Sequence, residues 1–131
     1  MPAADALSIL VVDDDEIFRT VLNAILEKAG HVVHWAENAS RAIAAIECRR
    51  PDAIFTDIYM PDSDGFELIN WLREARIEVP LIAMSGTQGP LVDHLTLAGK
   101  LGADAVLYKP LTAESVIGAL ERAIALRGQD D

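Results

Sequence analysis

Five short apolar runs, separated by stretches with helical periodicity, constrain the fold of this chain more than any other feature. The first run, Ile9-Leu10-Val11-Val12, is continuous and largely β-branched, as in a parallel strand buried on both faces. Strands that alternate with helices form a parallel sheet covered on both faces, with right-handed crossovers. The sequence therefore predicts the α/β class, with a doubly wound, five-stranded parallel sheet and five helices. The predicted strands are residues 9–12, 31–36, 53–56, 79–84 and 105–108.

The intervening stretches carry helical spacing and signals for helix ends. Apolar residues of the first helix recur at helical spacing, which predicts that they face the sheet. They are Phe18, Val21, Leu22, Ile25, Leu26 and Ala29. A fourth helix is predicted to begin at Pro90, because proline suits the first turn. Asn38 and Thr112 are predicted to cap helix starts. Three glycines are predicted to close helix ends: Gly30, Gly102 and Gly128.

The composition bounds the size and class of the protein. With 131 residues, 51% hydrophobic and 24% charged, we expect residues 1–131 to form a single domain with a core over about 8–127. A net charge of −10 repels a phosphate backbone, so direct binding of nucleic acid is not expected. Cys48 is the only cysteine, which excludes an internal disulfide and agrees with a reducing compartment. No run approaches the ~18 apolar residues of a membrane span, so we expect a soluble, cytoplasmic protein.

Polar side chains follow four of the predicted strands at the point where each strand ends. Asp13 and Asp14 follow the first strand, Asp57 the third, Ser85 the fourth and Lys109 the fifth. Because parallel strands end at the same edge, where ligands bind, these side chains are expected to form one site. Two carboxylates about 4 Å apart repel by about 4 kcal/mol at an effective dielectric constant of 20, so the cluster requires a cation or raised pKa values. Oxygen ligands without His or Cys suit Mg²⁺.

Asp57 is the candidate nucleophile of this site. It ends a buried strand, and the turn-forming residues 60–65 then take the chain out of the sheet toward a helix. An aspartate in this position can instead cap its own loop, and this stretch alone does not separate the two interpretations. Lys109 and Ser85 add a point charge and a hydroxyl that can hold an oxyanion, which favours the reactive interpretation.

The pattern resembles the receiver domain of two-component response regulators, a flavodoxin-like fold, over residues 8–127. The matching motifs are Val11-Val12-Asp13-Asp14, Asp57-x-x-Met60-Pro61-x-x-x-Gly65, Ser85-Gly86, Gly102-Ala103-Asp104 and Lys109-Pro110. The resemblance implies that Asp57 accepts a phosphoryl group from the phosphohistidine of a histidine kinase or a phosphotransfer protein. It implies that Asp14, Asp57 and the backbone carbonyl of Tyr59 hold Mg²⁺, and that Asp13 does so mainly through water. Ser85 would bind the phosphoryl group, and Lys109 would pair with it.

Several positions depart from the family's pattern and are the expected switch or tuning positions. Val106 stands where the family commonly has an aromatic residue whose rotamer reports phosphorylation. Tyr108, the nearest aromatic residue, is expected to point to the opposite face by strand alternation. Gly86 is smaller than the usual alanine and leaves more room at the phosphoryl site. Tyr59 and Thr87 lie where the family's residues flank the path of the hydrolytic water.

One acidic residue and the two tryptophans have structural interpretations. Asp15 is the third member of the acidic triplet, and we expect it to cap the first helix rather than bind metal. Trp35 and Trp71 are expected to pack against neighbouring side chains rather than to contact a cofactor.

The expected function is that of a stand-alone receiver whose phosphorylation switches binding to another protein, because the chain ends after the last predicted helix. Such a protein catalyses only its own phosphotransfer and autodephosphorylation, and is a monomer or a weak phosphorylation-dependent dimer. Two alternatives stay open. One is a receiver excised from a longer regulator or hybrid kinase, and the other is a phosphatase-type enzyme with Asp57 as nucleophile. A phosphatase-type enzyme would require a second acidic residue two positions after Asp57, where this chain has Tyr59. The sequence also contains no glycine-rich phosphate-binding loop.

Overall fold

The structure, a computed structural model, describes residues 6–57, 65–85, 102–108 and 111–128. Five parallel strands form one sheet in the order β2-β1-β3-β4-β5. The strands are β1 (Ser8–Val12), β2 (Val32–Ala36), β3 (Ala53–Asp57), β4 (Leu81–Ser85) and β5 (Ala105–Tyr108). The helices in the described ranges are α1 (Glu16–Lys28), α2 (Ala39–Cys48), α3 (Gly65–Glu74) and α4 (Ala113–Gly128). The predicted fold class is confirmed, while the helix predicted to begin at Pro90 lies outside the described residues.

Two strands begin later than the sequence predicts, for reasons that lie in their backbone hydrogen bonds. The N–H of His31 donates to the carbonyl of Leu26 at the end of α1, 3.1 Å away, so this residue belongs to the helix end rather than to β2. Pro80 has no N–H and contributes only its carbonyl, which accepts from Ile54 at 2.9 Å. β4 therefore begins at Leu81 instead of residue 79.

The core consists of two clusters, one on each face of the sheet. Leu10 and Val12 of β1 pack in the cluster that α2 and α3 cover. Ile9 and Val11 alternate with them and pack in the cluster that α1 and α4 cover. The central strands β1 and β3 are therefore buried on both faces, as their continuous apolar runs predict.

The sheet-facing side of α1 differs from the predicted one. Val21 is 45% exposed, whereas Arg19 is only 9% exposed and lies on the same side of the helix as Leu22 and Leu26. Ala29 is also exposed, at the C-terminal end of the helix. Because positions spaced by three and seven residues share one helix face, the buried stripe runs through Arg19 and excludes Val21. The predicted apolar face was wrong at these positions.

The predicted end signals of several helices are confirmed. The side chain of Asn38 accepts from the N–H of Arg41 at 2.8 Å, and the side chain of Thr112 accepts from the N–H of Ser115 at 3.0 Å. Gly30 has a φ of +101°, the left-handed conformation that a helix end often requires and that glycine adopts without strain. α4 ends at Gly128. Within the described ranges, the helices are too short or too polar to cross a membrane.

Candidate functional site

The candidate site lies at the edge of the sheet where the strands end. Val12 is paired with Thr56 across β1 and β3, so Asp13 and Asp57 follow paired residues on neighbouring strands. The side chains at positions 9, 11, 53 and 55 face α1 and α4. By strand alternation, Asp13 and Asp57 project toward that same face. The expectation that parallel strands bring these two aspartates together therefore follows directly from the register.

Carboxylate oxygens of Asp13, Asp14 and Asp57 lie within 4.8 Å of one another. Asp13 is fully buried and Asp57 is 5% exposed, while Asp14 is exposed and opens the cluster to solvent. Oxygen ligands from carboxylates, with room for water on one side, fit a hard divalent cation such as Mg²⁺. The residues present therefore suit the metal that the sequence predicts.

Hydrogen bonds from three directions hold Asp13 in place. Its N–H donates to the carbonyl of Ala36 in β2, 3.1 Å away. Its carboxylate oxygen Oδ1 accepts from the N–H of Asp15 at 2.9 Å. Its carbonyl accepts from Nη1 of Arg19 at 2.8 Å. The turn that carries Asp13 and Asp14 is thus tied to β2, to its own loop and to α1.

Asp15 is the N-terminal cap of α1, as the sequence predicts. Its carboxylate accepts from the N–H of Ile17 at 3.0 Å and from the N–H of Phe18 at 3.2 Å. These bonds satisfy two backbone donors that have no partner within the helix. The third aspartate of the triplet therefore fixes the start of the helix and leaves Asp13 and Asp14 to face the sheet edge.

Asp57 is the last residue of β3, and the whole strand is buried. The hydroxyl of Thr56 donates to the carbonyl of Asp57 at 3.1 Å. Asp57 is also paired with Met84 of β4, a fully buried residue. A carboxylate on such a fixed backbone is preorganised for a reaction at one position, because little conformational freedom remains to be lost.

The other predicted site residues fall partly outside the described ranges. Ser85 ends β4 and is paired with Tyr108 of β5, which places its backbone at the same edge as Asp57. Lys109, Tyr59, Gly86 and Thr87 lie outside the described residues, so their predicted roles stay predictions.

Val106 and Tyr108 share one face of β5. Val106 is packed against the cluster that α2 and α3 cover, and Leu107 belongs to the opposite cluster. By strand alternation, Tyr108 lies on the face of Val106, so the prediction that it points to the opposite face was wrong. Its side chain is 43% exposed. An aromatic ring is therefore present on the face where the family carries one, two residues further along the strand.

The sequence did not predict that Arg19 contacts this site. The guanidinium carbon of Arg19 lies 4.0 Å from the ring centroid of Trp35, so the side chain is held between β2 and the carbonyl of Asp13. Trp35 does pack against a neighbour, although its side chain is 53% exposed. The available signal was the position of Arg19, three residues before Leu22 and seven before Leu26, on the apolar stripe.

Residues 9–121 match the model of the response regulator receiver domain. The chain is 36% identical over 118 residues to the DNA-binding transcriptional regulator NtrC of Rhizobium meliloti, covering 90% of this chain and 24% of that protein. The crystal structure of the receiver domain of NtrX from Brucella abortus superposes with a TM-score of 0.82 at 34% identity, over 89% of this chain and 98% of that one. The chemotaxis response regulator CheY4 of Vibrio cholerae gives a TM-score of 0.78 at 28% identity, over 90% of this chain and 98% of that one.

The matched relatives differ from this chain in length. The chain spans 24% of the NtrC proteins of Rhizobium meliloti and Azospirillum brasilense, and 26% of NtrX of Azorhizobium caulinodans. The similarity to these regulators therefore concerns about a quarter of each of them.

Proposed function

The chain belongs to the family of response regulator receiver domains, and on this premise we propose that it is the phosphoacceptor of a two-component phosphorelay. Asp57 accepts a phosphoryl group from the phosphohistidine of a histidine kinase or a phosphotransfer protein. The resulting change in charge switches binding to another protein. The observation that carries this proposal is the cluster of Asp13, Asp14 and Asp57, whose oxygens lie within 4.8 Å of one another at the end of β1 and β3.

The proposed reaction exchanges one bond for another. A carboxylate oxygen of Asp57 forms a bond to phosphorus as the phosphorus–nitrogen bond of the donor breaks, and the imidazole keeps the electron pair and later takes up a proton. Asp13, Asp14 and Asp57 would hold Mg²⁺, together with the backbone carbonyl of Tyr59. When bound, the ion would supply positive charge that offsets charge on the transferred group.

Two further side chains complete the proposed site. The hydroxyl of Ser85 binds the phosphoryl group once it is attached. The ammonium of Lys109 pairs with its oxygens and couples their presence to the rest of the domain. Ser85 is the last residue of β4, which pairs with β3. Lys109 follows β5 in the chain, and β5 pairs with the other side of β4.

The proposed unit is a single receiver over residues 8–127 that acts in the cytoplasm and does not itself bind nucleic acid. It catalyses its own phosphotransfer and autodephosphorylation and no turnover of another substrate. A second candidate is a receiver that forms part of a longer regulator. The length of the relatives favours that candidate, since this chain spans about a quarter of NtrC.

Transfer from a phosphohistidine donor tests the proposal. An autophosphorylated histidine kinase, mixed with the chain and Mg²⁺, should lose label to wild-type protein and not to the Asp57→Asn variant. Asp15→Asn is the matched control, because it removes a neighbouring carboxylate and retains a capping side chain. Sustained release of phosphate from a small phosphate ester would instead indicate the phosphatase-type enzyme. Wild-type protein that accepts no label from any phosphohistidine donor would contradict the proposal.

A further inference from the structure

Arg19 is the only arginine or lysine that the structure describes as buried. It occupies a position on α1 that faces the sheet, where an apolar side chain would be expected. Burial of a guanidinium is costly unless its donors and its charge find partners. Two partners are present: Nη1 donates to the carbonyl of Asp13 at 2.8 Å, and the guanidinium stacks on the indole ring of Trp35, 4.0 Å from the centroid.

Trp35 is placed to hold the guanidinium rather than to fill the core. It lies on β2, the edge strand, one residue before Ala36, whose carbonyl accepts from the N–H of Asp13. The indole is 53% exposed, so much of its surface is not engaged in core packing. A guanidinium stacked on an aromatic face is restrained in its plane, which fixes the direction of its N–H groups.

We propose that Arg19 is a positioning residue for the metal site, and that Trp35 holds it in place. The guanidinium fixes the carbonyl of Asp13 and with it the turn that carries Asp13 and Asp14. The turn then presents its carboxylates at the spacing that a divalent cation requires. Groups that orient metal ligands in this way commonly set the affinity of a site without touching the ion. The inference rests on the proposed metal site and names a further residue that tunes it.

Charge and geometry predict opposite effects of removing this arginine. A cation beside a cluster of carboxylates opposes the binding of a second cation, so its removal by charge alone should strengthen Mg²⁺ binding. Loss of a fixed turn should weaken Mg²⁺ binding, because the carboxylates are no longer preorganised. The sign of the change in affinity therefore separates a positioning role from a general electrostatic one.

A titration with Mg²⁺ alone, followed by the amide resonances of residues 13–15, measures this sign without any phosphoryl transfer. We expect Arg19→Met to raise the Mg²⁺ dissociation constant by about tenfold. Methionine retains an apolar, unbranched chain between α1 and the sheet, so the fold should survive. Arg41→Met is the matched control, because it removes the same charge from an exposed position on α2 and should leave the dissociation constant unchanged.

A second variant leaves the net charge untouched. Trp35→Leu should also weaken Mg²⁺ binding, by a smaller factor, because the guanidinium loses its stacking partner. Val32→Ala, at another exposed apolar residue of β2, should have no effect. If Arg19→Met does not fold, the Mg²⁺ titration of Trp35→Leu alone tests the positioning role of Arg19.

The outcomes separate this inference from the proposed function. Tighter or unchanged Mg²⁺ binding in Arg19→Met would overturn the positioning role of Arg19. An unchanged Mg²⁺ dissociation constant in Trp35→Leu would overturn it as well. Wild-type protein whose amides at residues 13–15 do not respond to Mg²⁺ would instead overturn the proposed metal site itself.

Discussion

Val12 of β1 lies directly opposite Thr56 of β3, and an aspartate follows each of them in the chain. This pairing places Asp13 and Asp57 side by side at the end of two buried strands. The buried ladder makes the separation of the two carboxylates a property of the sheet rather than of a loop. Asp14, which is exposed, gives the cluster its access to solvent.

The cap at the start of α1 should contribute measurably to stability. Asp15→Ala removes the acceptor for the N–H groups of Ile17 and Phe18, so we expect the free energy of unfolding to fall by about 1 kcal/mol. Asp15→Asn retains an acceptor and should lie within a few tenths of a kcal/mol of wild type. Urea unfolding in the presence of a chelator measures the free energy of unfolding of both variants without a contribution from bound metal. Equal losses in the two variants would show that the charge, and not the cap, stabilises the helix.

In the proposed transfer, a donor protein must reach Asp57 across the exposed side of the cluster, which borders the first turn of α1. Ile17 lies in that turn and is 78% exposed, so we expect it to contact the donor. Ile17→Lys should slow transfer from a histidine kinase by about tenfold, which corresponds to about 1.4 kcal/mol of lost contact. Transfer from acetyl phosphate should stay at the wild-type rate, because this donor needs no docking surface. Val32→Lys, at the beginning of β2 and the opposite edge, is the control. Equal slowing with both donors would place Ile17 in the reaction rather than in docking.

The lifetime of the phosphorylated form should depend on Tyr59 and Thr87. Neither side chain is a strong base that could orient a hydrolytic water, so we expect slow loss of the phosphoryl group. The double variant Tyr59→Asn with Thr87→Glu should accelerate the loss on the order of tenfold. The decay of phosphorylated protein after removal of the donor gives the rate. An unchanged rate of phosphoryl loss in the double variant would show that these two positions do not control dephosphorylation.

The signal should travel through the segment that follows β4. A phosphorylated Asp57 carries about −1.5 to −2 charge, and Ser85 should move toward it and draw residues 86–89 along. Val106 is packed against one core cluster and is too small and too stiff at χ1 to act as the usual aromatic switch. Hydrogen exchange with and without a beryllofluoride mimic should therefore show its largest changes in residues 86–100. Changes confined to α1, or to the loop after Asp57, would contradict this route.

The sheet and the acidic cluster could be predicted from the sequence because both depend on short-range patterns. The continuous apolar runs of β1 and β3 indicate strands buried on both faces, and parallel strands necessarily end at one edge. That rule places Asp13, Asp14 and Asp57 in one cluster without knowledge of any tertiary contact.

The contacts of Arg19 were not predicted, because one partner is a backbone carbonyl and the other, Trp35, lies on a different element. An arginine in an amphipathic helix normally indicates the solvent side, and Val21 normally indicates the core side. Here the carbonyl of Asp13 and the ring of Trp35 stabilise the guanidinium against the sheet, and Val21 is displaced toward solvent. Tyr108 was assigned to the wrong face, although strand alternation places residues two apart, such as Val106 and Tyr108, on the same face.

Intact-mass measurement after incubation with acetyl phosphate tests the central claim most directly. We expect wild-type protein to gain one phosphoryl group with Mg²⁺ and none when the cation is chelated. Asp57→Asn should gain none under either condition, and Asp15→Asn should behave as wild type. A phosphoryl group on Asp57→Asn, or uptake by wild-type protein that chelation does not affect, would contradict the assignment of Asp57 as the metal-dependent phosphoacceptor.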